Sequence, residues 1–298
     1  MLFREKLNKR ISAIIACTIL LRCLVVLYWQ NQRGNFYIDE LHSFEYASSY
    51  TSDSTGYVLD DPAWKWAQWM DAKNLTEQLR VDSTEQLSDW TVGEQLKRLL
   101  TKRAFMGLLN YIMTDTGHDA SFFTYARNAA LFNLWFLFIA ELMLAYCVKT
   151  LTHSDIMMTL SFIMFGMSSI MIGMTEYLRF YILTVALMMV VVCCHLKIWK
   201  EKSLLWCLCM ELIAFVSAYI GLYHSELMLV TCGCFFCFFF AGLLLRKRFA
   251  EAIIYAVPLL YGMYHYVYRR TNLLRVVMHP ADFAYTGTHG IYHEKQLR

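Results

Sequence analysis

Proline is nearly absent from this 298-residue chain, with three, and glycine is sparse, with thirteen, so little in it interrupts a helix. Charge is also scarce: charged residues make up 17% of the chain, against about 25% in a soluble domain. That shortage excludes a protein that meets water on every side. Strand-like alternation of polar and apolar residues is missing, because the apolar residues, 58% of the total, gather in runs of membrane length. No cysteine lies in the polar stretch 30–103, and all ten fall inside apolar runs, which argues for packing thiols and against a disulfide framework. The "CGCFFC" stretch at 232–237 has no histidine or carboxylate beside it to complete a metal site. A net charge of +3 gives no reason to expect a nucleic-acid partner.

What is present predicts an all-α, polytopic transmembrane bundle. Seven spans are expected, at 11–29, 125–148, 156–174, 177–196, 203–222, 226–245 and 249–268. The first is long enough to span and is followed by no small-residue cleavage site, so it reads as a retained helix rather than a signal peptide. Short basic clusters orient the bundle: Arg4, Lys6, Lys9 and Arg10, then Lys149, then Lys197, Lys200 and Lys202, then Arg246, Lys247 and Arg248. All of them are cytoplasmic if the N-terminus is inside, as the positive-inside bias requires. Residues 1–298 then form one membrane domain, with an external loop at 30–124 and an external tail at 269–298.

The long loop has helical patterning. Ile38, Leu41, Phe44 and Ala47 recur every three residues, leaving Asp39, His42, Ser43 and Tyr46 on another face. Asp61 and Pro62 open a second helix, whose Trp64, Trp66 and Trp69 suit the headgroup zone. A third is expected at 92–113, with Leu96, Leu99, Leu100, Met106, Leu109 and Ile112 on its apolar side and Gly117 beyond its end.

Ionisable residues gather on the external side. Asp39, His42 and Ser43 are neighbours at i, i+3 and i+4 on a helix, so a carboxylate there could take a proton directly or through the imidazole. Nothing near them resembles a nucleophile elbow, which disfavours a hydrolytic triad, and a water-exposed acidic helix start remains the plainer reading. Glu176 and Arg179, in "MTEYLRFYIL", stand at helical i, i+3 spacing. They read either as an ion pair at a helix end or as an arginine holding an anion, with the acid orienting it. His224 and Glu226, His118 and Asp119, and Arg127 add to the same side. Arg22 falls inside the first span, where it must snorkel, pair or line a polar cavity.

In their order and sidedness these motifs resemble the GT-C superfamily of integral membrane glycosyltransferases, in particular its dolichyl-phosphate-mannose-protein mannosyltransferase and aminoarabinose transferase-like members. "YIDELHSFEYASS" resembles the Asp-Glu motif that opens the first external loop. "GHDASFFTYARNAALF" is similar to the family's entry into its second helix, "MTEYLRFYIL" to its Glu-Arg-Tyr-Leu segment, and "GLYHSELMLV" to its His-Tyr turn. "FMGLLNYIMTD" stands where the family carries an HPP-like stretch, and the family's further helices and C-terminal domain have no counterpart here. The chain thus compares with the family's core module, a truncated product or a half that needs a partner.

The resemblance implies inverting transfer of a sugar from a polyprenyl-phosphate donor to a hydroxyl of a lipid, glycan or protein acceptor. Asp39 would then be the general base, with Glu40 and His42 orienting it or the acceptor. Glu176, Arg179, His224, Arg127 and Asp119 would form the substrate site, the arginines meeting the phosphate. A divalent metal ion at Asp39, Glu40, His42 and Asp119 is left open, since no spacing demands one. The expected location is a bacterial-type inner membrane, or the endoplasmic reticulum, where the "NLT" sequon at Asn74 would matter. A transporter or a scaffold derived from such an enzyme is the rival expectation.

Overall fold

In hydrocarbon a backbone amide can be satisfied only within the protein, so uninterrupted apolar runs form helices. The computed structural model describes residues 2–33, 40, 43, 44, 47, 91, 93, 104–116, 122–200, 203–224 and 226–270, and no strand occurs among them. In chain order the helices are α1 (Leu2–Gln32), α2 (Ala104–Thr116), α3 (Phe122–Thr152), α4 (Asp155–Gly166), α5 (Ser169–Glu176), α6 (Tyr181–Lys200), α7 (Leu204–His224), α8 (Glu226–Leu245) and α9 (Phe249–Arg270). α1, α3, α6 and α7 are each long and apolar enough to cross a membrane, and α4 with α5 makes a fifth crossing if the pair is one span bent by 50°. The expected spans at 11–29 and 125–148 lie within α1 and α3, and the one at 203–222 matches α7 from Leu204 onward. The span expected at 156–174 is the bent pair, and the one expected at 177–196 starts late, at Tyr181, because 177–180 leave the helix. α8 and α9 occupy the last two expected positions, but among the described residues neither is long and apolar enough to count as a crossing, and the apolar part of α8 is the shorter Val230–Leu245. The helix expected from Asp61 and the tail at 271–298 lie outside the described residues.

α6 is the central helix, with 56% of its apolar window buried against 17% in α1 at the edge. It packs against α3 on one side and α7 on the other, and α7 in turn carries α8 and α9. On α7 the buried face reads Cys207, Glu211, Ala214, Ala218 and Leu222, while Leu205, Leu208, Leu212 and Val216 are exposed. Both faces are apolar, as expected of a helix with protein on one side and lipid on the other.

Two polar clusters lie inside this bundle. Arg22 on α1 is fully buried and pairs with Glu141 on α3, answering the demand that its charge finds a partner within the span. The pair sits against Gly166, the last residue of α4, where a Cβ would overlap the Glu141 carboxylate and the Arg22 guanidinium. The bend follows at once. The Ser168 hydroxyl donates to Phe165 O at 2.9 Å and accepts from Met171 N at 3.3 Å, so one side chain closes α4 and caps α5. The second cluster joins α6, α7, α8 and α9: His195 hydrogen-bonds Val191 O and the Tyr255 hydroxyl, and the buried Glu211 carboxyl lies within electrostatic reach of Cys194, Cys232 and Tyr255.

The close approach at Gly166 makes Gly166→Ala costly. Its methyl must displace a buried ion pair whose disruption is worth about 3–5 kcal/mol. Thermal unfolding in detergent should therefore show a clearly lowered midpoint; a midpoint equal to the wild type's would contradict this packing.

Candidate functional site

The chain leaves its helical path between Glu176 and Tyr181, at one end of the bundle. A helix end buried in protein strands carbonyls that only side chains or water can satisfy. Two segments supply donors to these carbonyls, and a third supplies an acceptor for the amide that follows them. From α3, the Asn133 amide nitrogen donates to Thr175 O at 3.1 Å and Tyr177 O at 3.3 Å. From the end of α1, Gln30 Nε2 and Arg33 Nη1 donate to Glu176 O at 3.1 and 3.3 Å. From the first loop, Glu40 Oε1 accepts the Leu178 N–H at 2.9 Å, while Glu40 Oε2 pairs with Arg33. Arg33 thus bridges the acid and the carbonyl, and the 175–178 backbone is tied to three segments far apart in sequence.

Glu40, Ser43, Phe44 and Ala47 are helical and completely buried, at i, i+3, i+4 and i+7. Phe44 and Ala47 of the expected apolar face are thus inward, Ile38 and Leu41 lie outside the described residues, and a carboxylate and the Ser43 hydroxyl, expected on another face, share the inward side. Phe44 and Ala47 join an apolar cluster with Phe105, Met106, Leu109 and Ile112 of α2, Tyr125, Ala126 and Ala129 of α3, and Leu178, Phe180 and Leu183. Asn110 ties α2 to the loop by donating to Ala47 O at 2.8 Å. Met106, Leu109 and Ile112 face inward as their spacing predicts; the described helix runs 104–116, and Leu96, Leu99 and Leu100 lie outside the described residues.

Of the residues expected to act on substrate, the structure brings Glu40, Glu176 and Arg179 together. Glu40 is committed to the backbone and to Arg33, so it is placed to position the segment rather than to meet a substrate. Arg179 is half-buried, donates to Ser43 Oγ at 3.3 Å and lies 5.4 Å from the Phe180 ring centroid. The ion pair expected between Glu176 and Arg179 is not formed. The helical i, i+3 geometry it relied on ends at Glu176, and the Glu176 carboxylate is half-buried within electrostatic reach of Arg33. Arg127 is exposed on α3 at the same end of the bundle. His224 is the last residue of α7, also at this end; its side chain lies outside the described residues, as do Asp39, His42 and Asp119. Among the described residues no three His, Cys, Asp or Glu side chains gather as a metal site.

Gln30, Arg33 and Asn133 emerge as parts of the site that charge patterning did not single out, while Ser43, expected beside Asp39 and His42, instead meets Arg179. Asn133 carried a signal: an amide within the apolar run "ALFNLWF" must find buried partners. Comparison with family models, curated proteins and solved structures finds no match to this chain.

Glu40→Gln tests the clamp. It leaves the Arg33 guanidinium without its carboxylate, a loss of about 3 kcal/mol or more for a buried pair. Hydrogen exchange should show the Leu178 amide losing protection relative to the middle of α6; equal protection in both proteins would contradict the clamp.

Proposed function

We propose that the chain is an inverting glycosyltransferase that takes a sugar from a polyprenyl-phosphate donor at the external face of the membrane, built on a GT-C-like core of seven spans. The observation that carries this reading is the junction of the first loop with the Glu176–Arg179 segment. The two stretches that resemble the family most closely, separated by over a hundred residues, meet through Glu40, Leu178, Ser43 and Arg179. A site at the end of a lipid-facing bundle can meet a phosphosugar while its isoprenoid tail stays in the bilayer.

In the reaction, an acceptor hydroxyl attacks the anomeric carbon of the donor. The Asp39 carboxylate takes the hydroxyl proton as the new glycosidic bond forms. The bond from the anomeric carbon to the phosphate oxygen breaks, and the polyprenyl phosphate leaves with the bonding electrons, inverting the anomeric centre. Arg179, with Arg127, offsets the charge that builds on the phosphate. Glu40 acts indirectly: it holds the Leu178 backbone and therefore the residue that follows it. His42, His224 and Asp119 would complete the acceptor side.

A transporter remains as a second reading because one observation favours it. The α4–α5 bend, with the buried Arg22–Glu141 pair against it, places charge at a broken span, as secondary transporters do.

Turnover of a polyprenyl-phosphate sugar by the purified full-length chain, with and without a chelator, separates the readings. Asp39→Asn should reduce transfer by at least about 10²-fold, the usual contribution of a general base; wild-type turnover in that variant removes Asp39 from the role. Arg179→Lys exchanges a bidentate fork for a point charge and should weaken donor binding by about tenfold. Donor affinity indifferent to this exchange would mean that Arg179 does not hold the phosphate.

A further inference from the structure

The opposite end of the bundle carries a second polar feature, independent of the glycosyl-transfer reading. A cavity of about 540 Å³ is lined by Trp199 and Lys200 at the end of α6 and by Arg246 and Arg248 in the α8–α9 turn. The turn is built to present these cations. Lys247 N–H donates to Leu244 O at 2.9 Å and Arg248 N–H to Leu243 O at 3.0 Å, closing α8 with Lys247 in the left-handed region at φ 58°. Glycine usually takes that position, because a side chain there costs about 1 kcal/mol. Gly242, one turn earlier, has no Cβ, and the Trp199 indole occupies the space a Cβ would need. The Arg246 guanidinium stacks on that indole, 3.8 Å from a ring centroid.

The charges of the cavity do not cancel. Arg248 is consumed by structure: its Nε pairs with Glu251 at 3.0 Å, and its Nη1 donates to Ile198 O and Trp199 O at 3.2 and 3.0 Å. Those two carbonyls are the negative end of α6, so Arg248 quenches the dipole that would repel an anion. Lys200 donates to Thr150 O at 2.6 Å, a neutral acceptor. Arg246 is exposed, and its guanidinium makes no hydrogen bond among the described residues. Lys200 and Arg246 therefore face the cavity with no carboxylate partner among the described residues. A guanidinium held by its face on an indole keeps its N–H edge available for two parallel bonds, the arrangement that suits phosphate.

We propose that this cavity binds a phosphate group, with Arg246 as its fork, Lys200 as a second positive charge and Arg248 as the support that makes the site electropositive. The cavity is open to the outside, so a phosphate held there can carry ester substituents that extend outward. Leu245 and Phe249, on either side of the basic turn, are 85% and 60% exposed, so acyl chains have an apolar surface beside the cavity. Both features favour an anionic phospholipid headgroup over a free anion.

Native mass spectrometry of the full-length chain in detergent, titrated with phosphatidylglycerol and separately with phosphatidylcholine, tests the site. The wild type should bind phosphatidylglycerol roughly tenfold or more tightly than phosphatidylcholine, the scale of one charge-assisted contact. Arg246→Ala should weaken phosphatidylglycerol binding most and remove most of that preference, since the choline cation of phosphatidylcholine already opposes the basic cluster, and Arg246→Lys should retain part of it. Lys247→Gly removes an equal charge outside the cavity and should keep the full preference. A second arm adds inorganic phosphate at millimolar concentration: displacement of the lipid supports recognition of phosphate from either source, and retention supports a lipid-specific site. No preference in the wild type, or equal losses in Lys247→Gly and Arg246→Ala, would overturn the proposal.

Discussion

A helix that ends inside a protein must have its last carbonyls satisfied, and the end of α5 at Glu176 places that demand at the edge of an apolar bundle. Everything known of the candidate site follows from how the demand is met. Thr175, Glu176 and Tyr177 carbonyls receive donors from α1 and α3, and the Leu178 N–H finds Glu40 in the first loop. Four segments are locked together by backbone satisfaction rather than by charge alone. Arg179, one residue further on, takes its position from that lock, and through it the long loop takes its docking position on the bundle.

Arg33 is the economical element of the arrangement. Glu40 is a fully buried carboxylate, and burying such a charge without a counter-ion is strongly unfavourable. With Arg33 beside it, the acid and the cation offset each other while each still reaches the backbone break. The Arg22–Glu141 pair applies the same principle deeper in the bundle, next to the other interruption, at Gly166. In both places an interruption of helical structure coincides with a buried Arg–Glu pair. The charges of the first pair satisfy backbone groups directly, whereas at the second the Ser168 hydroxyl serves the backbone.

Much of the fold was legible in the sequence, because hydropathy over twenty residues reports the need for backbone satisfaction directly. α1, α3, α6 and α7 lie where the apolar runs place them, and Arg22 was readable as a charge needing a partner. The bend at 167–168 was not legible. Ser168 looks like any tolerated hydroxyl in an apolar run, and no proline marks the site. The start of α6 was misplaced for a related reason: "YLRF" is apolar enough to continue a helix, and tertiary donors from Gln30, Arg33 and Asn133, with Glu40 as acceptor for the Leu178 N–H, stabilise the alternative. The apolar spacing marked Phe44 and Ala47 for the inward face correctly, but it assigned Ser43 to another face and did not show Glu40 as buried, because these two are buried by the partners they meet. Sequence reasoning found the two stretches that form the site, "DELHSF" and "TEYLR", and missed the donors, since an isolated Asn133 or Gln30 shows its role only once the carbonyl opposite it is located.

The central claim is that the first loop and the 176–179 segment form one surface that holds a lipid-linked phosphate. The most direct test is an experimental density map of the full chain with bound polyprenyl phosphate. The account predicts phosphate density against the Arg179 guanidinium, with Glu40 still accepting the Leu178 N–H and pairing with Arg33. Phosphate density away from Arg179, or a first loop detached from Leu178 in the bound state, would contradict it.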